Sequence, residues 1–195
     1  WDGESLLDDS LFAGDYADLD WTDVLPTDAG SYVLCAYVEG TDDYAAAADY
    51  FEFIIRPAEI DVTGVAGYAG TYDGAEHNAR TAGSAAAVDS AAVTWQYSLT
   101  RTDGWQTAQL TFTDAGEYIV YYKLTAKNHA DEIGSFTVTI EKAKLIAAVG
   151  SAAIDYGAEA PAFGVAYEGF VGQDTAAVVD ETELVIAVTD ASGAA

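Results

Sequence analysis

Carboxylates dominate the chemistry open to this chain. Asp15, Asp18 and Asp20, with Asp23 and Asp28 close behind, set hard oxygen donors at short spacing. Calcium takes such donors, so the first three are the candidate metal ligands, for calcium alone. Their spacing is not that of an EF-hand loop, and an acidic solvated loop explains the same run. An ion held there would act on stability, not on chemistry. No zinc-ligand spacing and no glycine-rich phosphate loop occurs, so neither a transition metal nor an organic cofactor is expected. The histidines are His77 and His129, both in predicted turns. Cys35 is the single cysteine, so no disulfide forms within this stretch. No nucleophile stands near a base, and no enzyme is expected. Lys123 lies inside a predicted strand with its phase outward, away from the buried setting an intramolecular Lys–Asn or Lys–Asp isopeptide bond needs. Trp21 and Trp105 precede related motifs, which points to structure before sugar stacking.

The balance of charge narrows the partners. With 33 acidic residues against 7 basic ones, the formal charge is −26 over 195 residues. No basic stripe exists to neutralise phosphates, which excludes nucleic acid, and an anionic membrane surface is disfavoured for the same reason. The charge is spread along the chain, as on the repulsive surface of a soluble exported protein. No run of 18 apolar residues is present, so direct membrane insertion is not expected. The chain opens Trp1-Asp2-Gly3-Glu4, without an initiator Met, as a mature or excised fragment does.

The elements that must carry these residues are strands. Val93, Trp95, Tyr97 and Leu99 alternate with polar residues up to Thr100. Tyr118, Val120, Tyr122 and Leu124 form one face of a second strand, and Phe136, Val138 and Ile140 one face of a third. Tyr32, Leu34, Ala36 and Val38 do the same near the start. Period two in β-branched and aromatic residues marks pleated, half-buried strands. Turn signals separate them: Asp73-Gly74, Asp103-Gly104, Asp114-Ala115-Gly116 and Lys127-Asn128. Only the Ala-rich patches leave room for helical periodicity. The predicted class is all-β.

The chain also repeats itself. Thr-Asp-Ala-Gly-Ser-Tyr-Val-Leu at 27–34 returns as Thr-Asp-Ala-Gly-Glu-Tyr-Ile-Val at 113–120, an offset of 86. Ile55 to Ile60 returns as Ile140 to Leu145, an offset of 85. A period of that length suits a small domain. Three modules follow: a partial one over 1–58 with an atypical N-terminal part, a complete one over 59–144, and a partial one over 145–195. The junctions hold no flexible spacer, so an extended array is expected.

Asp-x-Gly-x-Tyr opens a strand in both copies, at Asp28, Gly30 and Tyr32 and at Asp114, Gly116 and Tyr118. These six are the candidate structural residues. The motif resembles the tyrosine corner of immunoglobulin-like sandwiches, in which the Tyr hydroxyl bonds back to the turn before its strand. Asp is expected to cap the turn through its side chain, and Gly to allow a tight or positive-φ position. Cys35 is one residue out of phase with the core cysteine of antibody domains, which marks it as an incidental thiol.

Further residues extend the likeness: Thr71-Tyr72-Asp73-Gly74-Ala75-Glu76-His77, then Asp155-Tyr156-Gly157-Ala158-Glu159, and Tyr167-Glu168-Gly169-Phe170. Together they resemble the MBG-type immunoglobulin-like repeats of large bacterial surface proteins, from about residue 24 onward. That resemblance implies tandem β-sandwich modules, an extracellular, cell-surface or secreted setting, and a stalk or spacer role displaying an adhesive or other terminal domain. It implies no catalytic or cofactor residues. Two other readings stay open: a ligand-binding adhesin module for a glycan or host protein, and an extracellular filament subunit that self-associates through edge strands.

Overall fold

The computed structural model describes residues 22, 24–159, 161, 162 and 164–187. Asp15, Asp18 and Asp20 lie outside the described residues, as do Trp21 and Asp23. The described chain is all-β, with two short 3-10 turns at Ala176–Val178 and Glu181–Glu183. It divides into two compact units. One comprises 1–63, 84–96 and 122–134; the other comprises 64–83, 97–121 and 135–195.

Strands β1 (Gly30–Val38) and β2 (Ala47–Ile55) form an antiparallel ribbon, in register from Gly30 opposite Ile55 to Val38 opposite Ala47. Next come β3 (Ile60–Gly67) paired with β6 (Arg80–Ala87), and β5 (His77–Asn78) paired with β8 (Thr111–Phe112). A four-stranded sheet is ordered β4 (Ala69–Thr71), β10 (Glu132–Glu141), β9 (Gly116–Thr125), β7 (Thr94–Ser98). Within it β4 runs parallel to β10 over Thr139–Glu141. Finally β11 (Ile146–Val149) pairs antiparallel with β12 (Val165–Glu168).

Alternation builds the core. Val120, Tyr122 and Leu124 of β9 are buried, as are Phe136, Val138 and Ile140 of β10, Tyr97 of β7, Ile60 of β3 and Ala87 of β6. Each large apolar side chain so buried contributes about 1.5–3 kcal/mol. Arg80 enters the same region by satisfying its donors: Nε donates to Tyr97 Oη at 2.7 Å and Nη1 to the Gly83 carbonyl at 2.9 Å. At Gly67 and Tyr68 the chain leaves β3 and becomes β4, in a different sheet. Tyr68 N–H donates to Ala79 O, and its carbonyl accepts from Thr139 N, both at 2.9 Å. The bend packs Gly67 against the Thr137 backbone, which leaves no space for a Cβ.

Three local expectations differ from the fold. The strand expected over 93–100 ends at Ser98, leaving Leu99 exposed. Ser98 Oγ accepts from Thr100 N–H at 3.0 Å and donates to Asp103 O at 2.6 Å, so the turn closes before Leu99 can face inward. The Ala-rich patches are strand: Ala47 and Ala48 open β2, and Ala85–Ala87 end β6. Lastly, Leu34 and Val38 share a face but stay exposed, together with Phe51 opposite Leu34. Alternation fixes which side chains share a face, and burial needs a second layer as well.

Candidate functional site

The two Asp-x-Gly-x-Tyr turns have the same geometry. Tyr32 Oη donates to the Asp28 carbonyl at 2.7 Å, and Tyr118 Oη to the Asp114 carbonyl at 3.0 Å. Each ring folds over the glycine between. A Cβ on Gly30 would meet Tyr32 Oη at 3.2 Å, and one on Gly116 would meet Tyr118 Oη at 2.9 Å. Neither glycine has positive φ. Glycine therefore serves the approach of the ring and not an unusual backbone angle. Each ring also stacks: Tyr118 on Phe112 at 4.3 Å between centroids, Tyr32 on Phe53 at 5.5 Å.

The Asp28 side chain does not cap its own turn. Its Oδ1 accepts from Asn128 Nδ2 at 2.9 Å and pairs with Lys127 Nζ at 2.9 Å. Asn128 Oδ1 in turn accepts from Ala29 N–H at 3.0 Å. Asn128 stands at φ +62, and that left-handed turn presents both ends of its amide to the Asp28 turn. Ala58 completes the contact through backbone bonds to Asn128 and Ala130. The Asn128 hydrogen bond, then Lys127, holds the Asp28 carboxyl below its ordinary value of 3.8. A depressed native pKa gives stability that is present above the unfolded value and lost as pH falls through the native one. We expect Asp28→Asn to melt below the parent at pH 7, with the gap closing under about pH 4. A gap constant from pH 7 to pH 2.5 in thermal melts would contradict this.

A cleft of about 740 Å³ lies in the second unit, lined among others by Tyr72, Asp114, Lys142, Phe170, Val171 and Asp174. Tyr72 Oη donates to Asp174 Oδ2 at 2.8 Å. That hydrogen bond, with burial and nearby carboxylates, raises the Tyr72 pKa. Neighbouring turns meet glycine to glycine, with Gly74 at φ +76 and Gly172 at φ +58. Beside them Asp73 Oδ1 accepts from Ala75 N–H and from His77 Nε2, both at 2.9 Å, and its pKa is lowered first by the Ala75 bond, then by His77. The His77 ring stacks on Tyr68 at 3.9 Å. Such a cleft can hold a ligand by aromatic and carboxylate contact. Tyr72 therefore keeps its proton at neutral pH and donates it to Asp174.

The remaining reactive groups are dispersed. His129 is buried; its Nδ1 donates to Lys127 O at 2.8 Å, while Nε2 has no hydrogen-bond partner and lies 3.8 Å from Asp89 Oδ1. Cys35 is half-buried, and burial raises its pKa. Lys123 pairs with Asp131 at 2.9 Å at a part-exposed position. Trp105 is half-buried. Among the described residues no three His, Cys, Asp or Glu side chains are placed to hold a metal. Sequence reading missed the Asn128 and Lys127 contacts to Asp28 and the Tyr72–Asp174 bond. Their partners are about a hundred residues apart, and the only local signal was the Lys127-Asn128 turn. Compared with known proteins, no family model, no curated protein and no solved structure matches this chain.

Proposed function

We propose that the chain is a run of tandem immunoglobulin-like sandwich modules of the MBG type, serving as a stalk or spacer of a bacterial cell-surface or secreted protein. The modules span 1–58, 59–144 and 145–195. On this reading the chain catalyses nothing and needs no cofactor, with calcium at the acidic N-terminal run the single ion in view. The observation that carries it is the clasp of Asp28 by Lys127 and Asn128, which ties the tyrosine turn of the first copy to a turn of the second. A spacer needs such fixed junctions between copies, because a loose one bends under load. The matching geometry of the two tyrosine turns supports the repeat itself.

Small-angle scattering at physiological salt tests the stalk. A compact chain of this length has a radius of gyration of about 16 Å; a row of modules must exceed it clearly. A value at the compact figure sinks the reading. The cleft with Tyr72 and Phe170 favours a second reading, an adhesin module for a glycan or protein partner. Glycan-array binding that is lost in Phe170→Ala would transfer weight to it.

A further inference from the structure

We propose that the cleft beside Tyr72 binds an uncharged saccharide, whose ring face packs on Phe170 and whose hydroxyls are shared among Asp114, Asp174 and Lys142. It rests on the reading of this chain as an adhesin module, and narrows the partner to one ligand chemistry. At about 740 Å³ the cleft falls within the ~300–1,000 Å³ of small-molecule sites. Backbone contacts fix its walls. Tyr72 directly follows β4, where its N–H donates to Glu141 O at 2.8 Å, and Lys142 directly follows β10. Phe170 comes just after β12, behind Gly169. Gly169 runs at φ +97 with the Lys144 carbonyl 2.6 Å from where a Cβ would be, so glycine is what lets the chain bring Phe170 to this place. Asp174 N–H closes a turn on Val171 O at 3.1 Å. Walls held in this way are ordered before a ligand arrives, which lowers the entropy cost of binding.

The polar groups of the cleft are of both kinds. The Tyr72 hydroxyl donates to Asp174 Oδ2, which leaves Asp174 Oδ1 and the phenol lone pairs as acceptors. Asp114 joins Asp174 in raising the Tyr72 pKa, so both carboxylates lie around that one hydroxyl. Among the described residues the Asp114 carboxylate accepts no hydrogen bond and the Lys142 ammonium makes no ion pair, although both are exposed and line the same cleft. A ligand that satisfies all of these donates to carboxylates, accepts from an ammonium, and shows an apolar face to Phe170 and Val178. Hydroxyls donate and accept, and the C–H face of a pyranose ring is apolar. A charged ligand meets opposition here. An anion faces Asp114, Asp174 and a chain of charge −26, and a cation faces Lys142. Hydrogen bonds between hydroxyls and ionised groups are the stronger kind, so each one weighs on affinity.

NMR titration of the whole chain with disaccharides tests it. Lactose, cellobiose, maltose and N,N′-diacetylchitobiose are the neutral probes, digalacturonate the anionic one, and fully deacetylated chitobiose the cationic one. At least one neutral disaccharide is expected to bind, and more tightly than either charged one. Lys142→Ala and Asp114→Asn are each expected to weaken that binding about tenfold, as loss of a hydrogen bond to a charged group does. Phe170→Ala is expected to weaken it further. Arg101→Ala removes an exposed positive charge outside the cleft and is expected to leave affinity unchanged. Circular dichroism matching the parent checks that each variant folds. Neutral binding that survives all three cleft substitutions places the sugar elsewhere and overturns the proposal. Tighter binding of a charged disaccharide, lost in Phe170→Ala, overturns the proposal and leaves the adhesin reading standing. If no disaccharide binds, the proposal fails and the adhesin reading keeps only its protein partner.

Discussion

Gly67→Ala is expected to destabilise the protein by about 2–3 kcal/mol, the range for forcing atoms into a packed region that cannot yield. A Cβ at this position would lie 2.7 Å from the Thr137 carbonyl carbon and 3.0 Å from Phe136 Cδ2. Most of the obstruction is backbone, so no rotamer change relieves it. Strain there also bears on Tyr68, whose N–H and C=O bond to Ala79 and Thr139. The matched control is Gly150→Ala, because a Cβ there meets nothing within 4 Å. That variant is expected within about 0.5 kcal/mol of the parent. Urea unfolding of the pair decides: equal midpoints would show that the β3-to-β4 crossing is not as tight as described.

Tyr118→Ala is expected to cost about 3 kcal/mol, the lower end for removing a large aromatic, because the ring is half-buried. It removes the stack on Phe112 and the cover over Gly116 together. Tyr118→Phe keeps the ring and loses only the bond to the Asp114 carbonyl, about 1 kcal/mol. The separation between the variants is the informative quantity. If both melt with the parent, the turn does not depend on its tyrosine. Gly116→Ala offers a partner measurement. Its Cβ clashes only while the tyrosine is present, so its cost should shrink in the Tyr118→Ala background, a coupling that a double-mutant cycle measures.

The central strands were legible because their signal is local. Tyr118, Val120, Tyr122 and Leu124 alternate in the sequence, and Val120, Tyr122 and Leu124 are buried; the same holds for Phe136, Val138 and Ile140. Period two decides a face whenever a second layer is there to cover it. For Leu34, Ala36 and Val38 the period was equally clear and the burial did not follow. Alternation reports which side chains share a face, and not whether anything packs against them. Leu99 was misplaced for a related reason: the Ser98 hydroxyl bonds around the 99–103 turn stop a strand whose apolar pattern continued to Leu99. The cleft was not legible at all. Tyr72 and Asp174 meet across 102 positions, and a lone Tyr and a lone Asp in an acidic chain carry no mark of each other. The Asp28 clasp was half legible, through a turn at Lys127-Asn128 whose target the sequence did not name.

The parallel pairing of β4 with β10 has a mechanical consequence for those two strands. They run side by side in the same direction, Ala69 to Thr71 against Thr139 to Glu141. Opposed pulls on Ala69 and Glu141 along the strand axis would draw these strands past each other along their length. Their hydrogen bonds, with Tyr72 N–H on Glu141 O and Thr139 N–H on Tyr68 O beside them, are then loaded together in shear. An antiparallel hairpin pulled from its open end parts one bond at a time and yields at low force. Parallel strands loaded in this way must lose the whole patch at once, so the small seam at 69–72 resists shear out of proportion to its length.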